Sequence, residues 1–348
     1  MRVSSTGLSE AGFCYKYYYY RRILRLVPKP ADLPRVMRLG VWIHAAMEAV
    51  AWGEDIAPTL DALVDLTGKF MPPEEVDGLR VQTQEIMDGY VKHYGGNMFK
   101  PIIVEKELEC DLGNGDVITA TLDKLGEING KLYVVEIKST SHIPDALWRG
   151  IDPQTAIQLM AARQAGYEPE GVIFDYLLTK HPATPRVKVR GNGFYANTGI
   201  TTSWAFDKSV PELLESWVGE PGEAERYLAE QRERLVRDGD YYQRWTVARD
   251  DGALEETLND ARHTLLHLKL CEKTGYWPRS LNPARCKGHS MKCAYADLDA
   301  SEYLAGGELI HLRRADFDVD DGKREGAEAR AMVAAQGVEM EENVDINW

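Results

Sequence analysis

The segment VVEIKST, Val134–Thr140, sets an acid and a base two residues apart inside an apolar run. Strand alternation puts Glu136 and Lys138 on one face and Val135 and Ile137 on the other. Charges taken out of water are costly unless they are paired or bind a metal. Just upstream, EINGKLY carries Asn129-Gly130 between strand-forming residues, the signature of a two-residue type I′ hairpin turn. Residues paired across such a turn have numbers summing to 259, so Leu125 faces Val134, Asp123 faces Glu136 and Thr121 faces Lys138. Two carboxylates directly opposed repel, and a divalent cation removes the repulsion. Mg²⁺ or Mn²⁺ suits oxygen donors at this spacing, with the Ile137 carbonyl as a further ligand. Lys138 then lies where it can orient an attacking water or offset charge developing on a phosphoryl group. The pattern asks for metal-assisted phosphodiester hydrolysis. Taken alone, Glu136 and Lys138 also read as a surface ion pair on a half-exposed strand; the register with Asp123 is what argues for a site.

The elements needed to hold these residues are legible in outline. The first 27 residues, with YKYYYYRRILRL, predict a helix ending at VPKP, and a second helix starts near Pro34 and runs through RVMRLGVWIHAAMEAVAWG. More helix is expected across 58–94, closed by His93-Tyr94-Gly95-Gly96, and three strands across 102–110, 116–127 and 131–139. DPQTAIQLMAARQAG predicts a helix with Asp152 as N-cap and Pro153 at its first position. GVIFDYLLTK reads as a buried strand, 181–205 as a loop or hairpin excursion, and 210–275 as helices. This order predicts an α/β fold with a central mixed sheet flanked by helices. One domain is expected over 1–300, with helices in 1–95, the sheet core in 100–205, and helices with a cysteine segment in 206–300; an acidic, mobile tail is expected over 301–348.

Composition narrows the setting without deciding the partner. The 348 residues are 44% hydrophobic and 28% charged, with ample material for a core, and no apolar run is long enough for a membrane span. The first residues, MRVSSTGLSEAGF, lack the apolar region of a signal peptide, so a cytoplasmic protein is expected. That compartment argues against structural disulfides among the five cysteines. The net charge is −14 but uneven: residues 1–40 carry a net +6 and residues 315–348 a net −7. The N-terminal segment can therefore meet phosphates, while the acidic tail could dock a protein partner or shield a nucleic-acid path.

With these residues in place, the chain resembles the PD-(D/E)XK nuclease superfamily, and within it the RecB-like exonuclease branch that includes CRISPR-associated and phage exonucleases. That branch carries G-x-x-x-H-x-x-x-E on a helix before the core, with the His a metal ligand; Gly40, His44 and Glu48 stand at that spacing on one helical face. Its strand Asp is matched by Asp123 in TATLDKLGEI, its E-x-K by Glu136 and Lys138, and its helix-start Gln by Gln154. A Tyr four residues further on in the family is here Gln158. The resemblance covers roughly residues 5–300 and implies a restriction-endonuclease-like core with a helical elaboration. It implies His44, Asp123, Glu136 and the Ile137 carbonyl as ligands of Mg²⁺ or Mn²⁺, with Lys138 and Gln154 completing the catalytic set.

The cysteines extend the resemblance. Many RecB-like exonucleases hold a 4Fe–4S cluster through one N-terminal and three C-terminal Cys; FCYKYYYYRR supplies Cys14, and WPRSLNPARCKGHSMKCAYADLD supplies Cys286 and Cys293, with Asp299 at the last position. A cluster with one Asp ligand, recruitment of Cys271, a zinc site using His289, and loss of the cluster are all compatible with that departure. Cys110, inside a strand, is expected to be a small core residue. Arg21, Arg22 and Arg25 beside the Tyr run, and Lys180, Arg186, Lys188 and Arg190 near the expected rim, are candidate DNA contacts, and Tyr17 to Tyr20 candidate stacking platforms. The expected activity is a metal-dependent DNA nuclease, an exonuclease first, acting in a bacterial or phage setting. The competing expectations are a silent DNA-end-binding accessory module and a site-specific endonuclease of the same fold.

Overall fold

The computed structural model describes residues 1–95, 98–179, 187–190, 193–196, 203–215, 217, 220–237, 241–282, 286, 293–299, 317–320 and 325–335. In chain order the N-terminal part contains β1 (Arg2–Ser4), α1 (Ser5–Phe13), α2 (Tyr15–Tyr18) running into a π-helical turn at Tyr19–Ile23, β2 (Leu26–Pro28), α3 (Arg35–Ala51), α4 (Ala57–Thr67) and α5 (Pro73–Tyr94). The core follows as β3 (Lys100–Asp111), β4 (Val117–Ile128), β5 (Lys131–Thr140), α6 (Ala146–Ile151), α7 (Pro153–Gln164) and β6 (Gly171–Leu178). Then come the hairpin β7 (Val187–Arg190) and β8 (Gly193–Ala196), α8 (Ser203–Glu215), α9 (Pro221–Arg237), β9 (Tyr242–Val247), α10 (Asp251–Thr274), β10 (Phe317–Val319) and α11 (Glu325–Ala335).

The main sheet is mixed, as expected. β4 pairs antiparallel with β3 and β5, β5 pairs parallel with β6, and β6 antiparallel with β9. The Asn129-Gly130 turn has both residues at positive φ, 54° and 74°, as a type I′ turn requires. It sets the register read from the sequence, Ile128 opposite Lys131 and Leu125 opposite Val134. The ladder stops at Lys124–Val135, one pair short of Asp123 and Glu136. Further along the same edge of β4, β1 takes over in parallel at residues 117–119. Between the two partners β4 has a gap, and the residues of interest lie in it.

Helices cover the sheet in two core clusters. One joins Leu8 and Ala11 of α1, Ile157 and Leu159 of α7 and Leu265 of α10 to Val134, Val172 and Phe174. The other joins Trp42 and Met47 of α3, Leu60 of α4 and Leu79 and Met87 of α5 to Ile137 and Leu177. Val135 and Ile137 are both buried, so the apolar half of the alternation does its expected work.

Several expectations need correction. The N-terminal segment is not one helix: Ser4 caps α1 through a Gly7 N–H to Oγ bond, and Cys14, in extended backbone, separates α1 from α2. Helix does form across 58–94, as α4 and α5. The 210–275 region contains a sixth strand of the main sheet, β9, whose Gln243 and Arg244 disguise it. Two elements lie within the region expected to be a tail. Its β10 pairs antiparallel with β2, and α11 buries Ala329 and Val333 against the α3–α5 cluster. Among the described residues no helix is long and apolar enough to cross a membrane.

Candidate active site

The gap in β4 frees backbone groups that must find partners. Asp123 Oδ2 accepts the Ile137 N–H at 2.7 Å, and the Thr121 carbonyl accepts Gln158 Nε2 at 3.1 Å. The side chains expected to do chemistry thus also close the split between β4 and β5.

Glu136 is the hub. It is 2% exposed, and both carboxylate oxygens are engaged by the chain's own donors. Lys138 Nζ and Gln154 Nε2 (3.1 Å) donate to Oε1, and Gln158 Nε2 donates to Oε2 at 2.7 Å. Gln154 is placed by its helix start: Asp152 caps α7 by accepting the Gln154 N–H, with Pro153 at the first position. Gln158 lies one turn on, on the same helical face, and is fully buried. Arg249, at the start of the β9–α10 connection, holds the α6–α7 corner by donating to the carbonyls of Arg149, Gly150 and Asp152 and to Thr155 Oγ1.

α3 supplies the imidazole. A Cβ on Gly40 would lie 3.0 Å from Ser139 Oγ, so the absence of one lets α3 approach the end of β5. One turn later His44 Nδ1 is 3.9 Å from Asp123 Oδ1. Glu48, the next turn along, is turned instead toward Arg330 of α11, Oε1 to Nε 3.6 Å.

Negative charge is in excess here. Burial, then the charge of Asp123, pushes the Glu136 carboxyl up to about 7, against the pull of Lys138 and Gln158. Burial works against the Lys138 ammonium, but Glu136 beside it and Asp123 nearby outweigh that and hold it above its usual range. Burial, against the pull of Glu136, pushes the His44 imidazole down from its usual range.

His44, Glu105 and Asp123 each offer one ligand atom, and these atoms all lie within 4.8 Å of one another. One imidazole with two carboxylates in a partly exposed cleft fits Mg²⁺ or Mn²⁺, which take oxygen ligands and keep waters, better than a closed thiolate-rich zinc site. Two of the expected ligands, His44 and Asp123, belong to this group. Glu136 instead faces Lys138 and the two amides, and Ile137 meets Asp123 through its N–H. Glu105 was missed. It sits at the count opposite Asp123 in the β3–β4 register, where neighbouring pairs are Val104–Lys124 and Lys106–Leu122.

The cleft, about 2820 Å³, is far larger than a small-molecule pocket of roughly 300–1,000 Å³. It runs from His44, Glu105, Asp123 and Gln154 to Tyr17, Arg21 and Arg22, with Asp320 and Arg330 on its wall. Arg21 and Arg22 are already paired, Arg21 with Asp320 at 2.7 Å and Arg22 with Glu10 at 2.6 Å. Tyr18 and Tyr20 are buried, and Tyr17 and Tyr19 pack on Tyr295 and Trp277, so the Tyr run mainly fastens the chain's two ends together. Lys180 and Arg186 lie outside the described residues; Lys188 and Arg190 fall on β7.

The cysteines meet at that same junction. Cys14 Sγ accepts the Ser280 N–H at 3.3 Å, Cys293 N–H donates to the Cys286 carbonyl at 2.9 Å, and Cys14, Cys286 and Asp299 all bear electrostatically on Cys293. Asp299 is held by Arg279 Nε at 2.7 Å. All five thiols are free, Cys110 and Cys271 buried in the core and Cys110 pushed by burial to about 11. His289 lies outside the described residues.

Compared with known families, residues 2–233, about two thirds of the chain, match the profile of the PD-(D/E)XK nuclease superfamily. A comparison with curated proteins gives no match.

Proposed function

This chain belongs to the PD-(D/E)XK nuclease superfamily, and we propose that it is an exonuclease of the RecB-like type that hydrolyses DNA with Mg²⁺ or Mn²⁺. Membership implies a metal-dependent nuclease acting on DNA; the branch and the exonuclease mode are the finer reading. The observation that carries it is the convergence of His44, Glu105 and Asp123 on one point of a cleft beside the Glu136–Lys138 pair.

A bound divalent cation would supply Lewis-acid stabilisation of the phosphoryl oxygens. The chain's own residues do the rest. Lys138, held charged by Glu136, offers an ammonium where negative charge grows on the phosphoryl group and can orient the attacking water. Gln154 and Gln158 keep Glu136 from turning away, which fixes Lys138 in place. The size of the cleft favours a polymer. Linear DNA degraded while closed circles survive, in the presence of Mn²⁺, is the expected outcome; discrete fragments from circles would replace the exonuclease with an endonuclease.

A second reading is a DNA-end-binding module without hydrolysis; Arg21 and Arg22, paired within the chain rather than open to phosphate, count against it. DNA binding with no cleavage in Mg²⁺, Mn²⁺ or Ca²⁺ would favour it. At the junction of the chain's ends, Cys14, Cys286 and Cys293, with Asp299 as fourth ligand, are the proposed holders of a structural 4Fe–4S cluster. Anaerobic purification giving a brown, iron-containing protein supports this; zinc, or no metal at these thiols, contradicts it.

A further inference from the structure

We propose that Glu105 is a ligand of the cleft's divalent cation, supplied from a positive-φ position within β3; this rests on the metal-dependent reading above.

The shell of Mg²⁺ or Mn²⁺ has room for a further carboxylate. In this arrangement the Glu136 carboxylate accepts from Lys138, Gln154 and Gln158, and its remaining lone pairs leave it able to take a cation as well. His44 and Asp123 give one nitrogen and one carboxylate, and such an ion takes one or two carboxylates with waters filling the rest of its shell. Glu105 completes the group: its carboxylate lies with His44 and Asp123 inside a 4.8 Å set and opens to the cleft.

The backbone explains how a strand residue reaches that point. β3 pairs with β4 on both sides of Glu105, with a register shift between Pro101 and Ile103, and the ladder skips Glu105 itself. There φ is 47°, the left-handed region, which a non-glycine residue rarely occupies. A glycine would suit that conformation better; a carboxylate stands there instead. Glu107, two residues on and lining the same cleft, lies in the regular ladder and pairs with Arg2 at 3.0 Å. It provides the control.

The test is Mn²⁺ binding to the full chain, read by calorimetry and by the electron paramagnetic resonance of the ion, without DNA. Glu105→Gln is expected to weaken Mn²⁺ about tenfold or more, a loss of the size seen when metal sites lose supporting groups, while Glu107→Gln binds like the parent chain. Glu105→Gly is expected to lose Mn²⁺ equally without lowering the melting temperature, separating a ligand from a structural residue. Binding unchanged in Glu105→Gln, with Asp123→Asn weakened, overturns the assignment of Glu105 and leaves the cleft reading standing. Binding unchanged in both Glu105→Gln and Asp123→Asn overturns the metal site itself.

Discussion

Two charged networks lie on opposite faces of one sheet, and they solve opposite problems. On the cleft face Glu105, Asp123 and Glu136 outnumber Lys138. On the far face Asp175, fully buried on β6, is outnumbered by Arg244 and Lys124. There Arg244 Nε lies 3.2 Å from Asp175, Tyr90 donates its hydroxyl to the same carboxylate, and the guanidinium sits 3.5 Å above the Tyr94 ring and 4.1 Å above that of Phe99. Aromatic rings seal that pair from solvent, while the cleft leaves its acids within reach of an ion. Both networks contain buried acid–base pairs, so such a pair alone does not mark a site. A surplus of carboxylates with access to solvent does.

The sharpest way to break this contrast is to remove one member from each face. Lys138→Ala or Glu136→Ala is expected to lower DNA cleavage by roughly 10²–10⁴-fold, the range for loss of a positioned catalytic group. Asp175→Asn should leave the rate per folded molecule unchanged. Equal losses from both faces would erase the distinction. For stability the ranking inverts. Arg244→Met leaves Asp175 buried without its hydrogen-bonded cation and is expected to cost about 3–5 kcal/mol in denaturant unfolding, whereas Lys138→Met costs less because Lys138 is partly exposed and Gln154 and Gln158 still donate to Glu136.

Titration separates the faces by sign. Glu136 is pushed up to about 7 from an ordinary value near 4.5, so the folded chain binds the extra proton between those values. Without metal, its contribution to stability therefore falls as pH rises from 4.5 to about 7, by up to about 3 kcal/mol, and Glu136→Gln flattens that slope. Lys124 is pushed down to about 8 from 10.5, chiefly by burial, against the pull of Asp175. Here the unfolded chain binds the extra proton, so stability rises with pH between about 8 and 10.5 by a similar amount, and Lys124→Met removes the rise. Metal-free unfolding curves across pH 4–11 for the parent and both variants check the two slopes.

The smallest expected effect tests the register. Gly130→Ala, at φ 74°, should cost about 1 kcal/mol in stability without moving the strand pairing.

How much of this was legible in the sequence follows from how local each feature is. The Asn129-Gly130 turn allows only one register, so residue numbers alone bring Asp123 near Glu136. Its limit is equally physical: the ladder ends at Lys124–Val135, and those acids satisfy freed backbone groups rather than face each other squarely. The five-residue connection Leu112–Asp116 between β3 and β4 fixes no register in advance, which hid Glu105. Gln158 was visible only as a departure from the family's Tyr, and its bond to Glu136 needed the packing of α7 on the sheet. β9 carries Gln243, Arg244 and Trp245 and lacks an apolar run, so only its pairing with β6 reveals it. The packed stretch of the tail was masked by its acids, since Phe317, Ala329 and Val333 give few apolar cues among them.

The central claim is that the carboxylate-rich face is a metal-dependent nuclease site and the sealed face is not. The most direct measurement is degradation of linear DNA by the parent chain, Lys138→Ala and Glu136→Ala, each with Mn²⁺ and with chelator. The account predicts cleavage by the parent chain with Mn²⁺ only, and loss of it in both variants. Undiminished cleavage by both variants, or cleavage that persists in chelator, would contradict it.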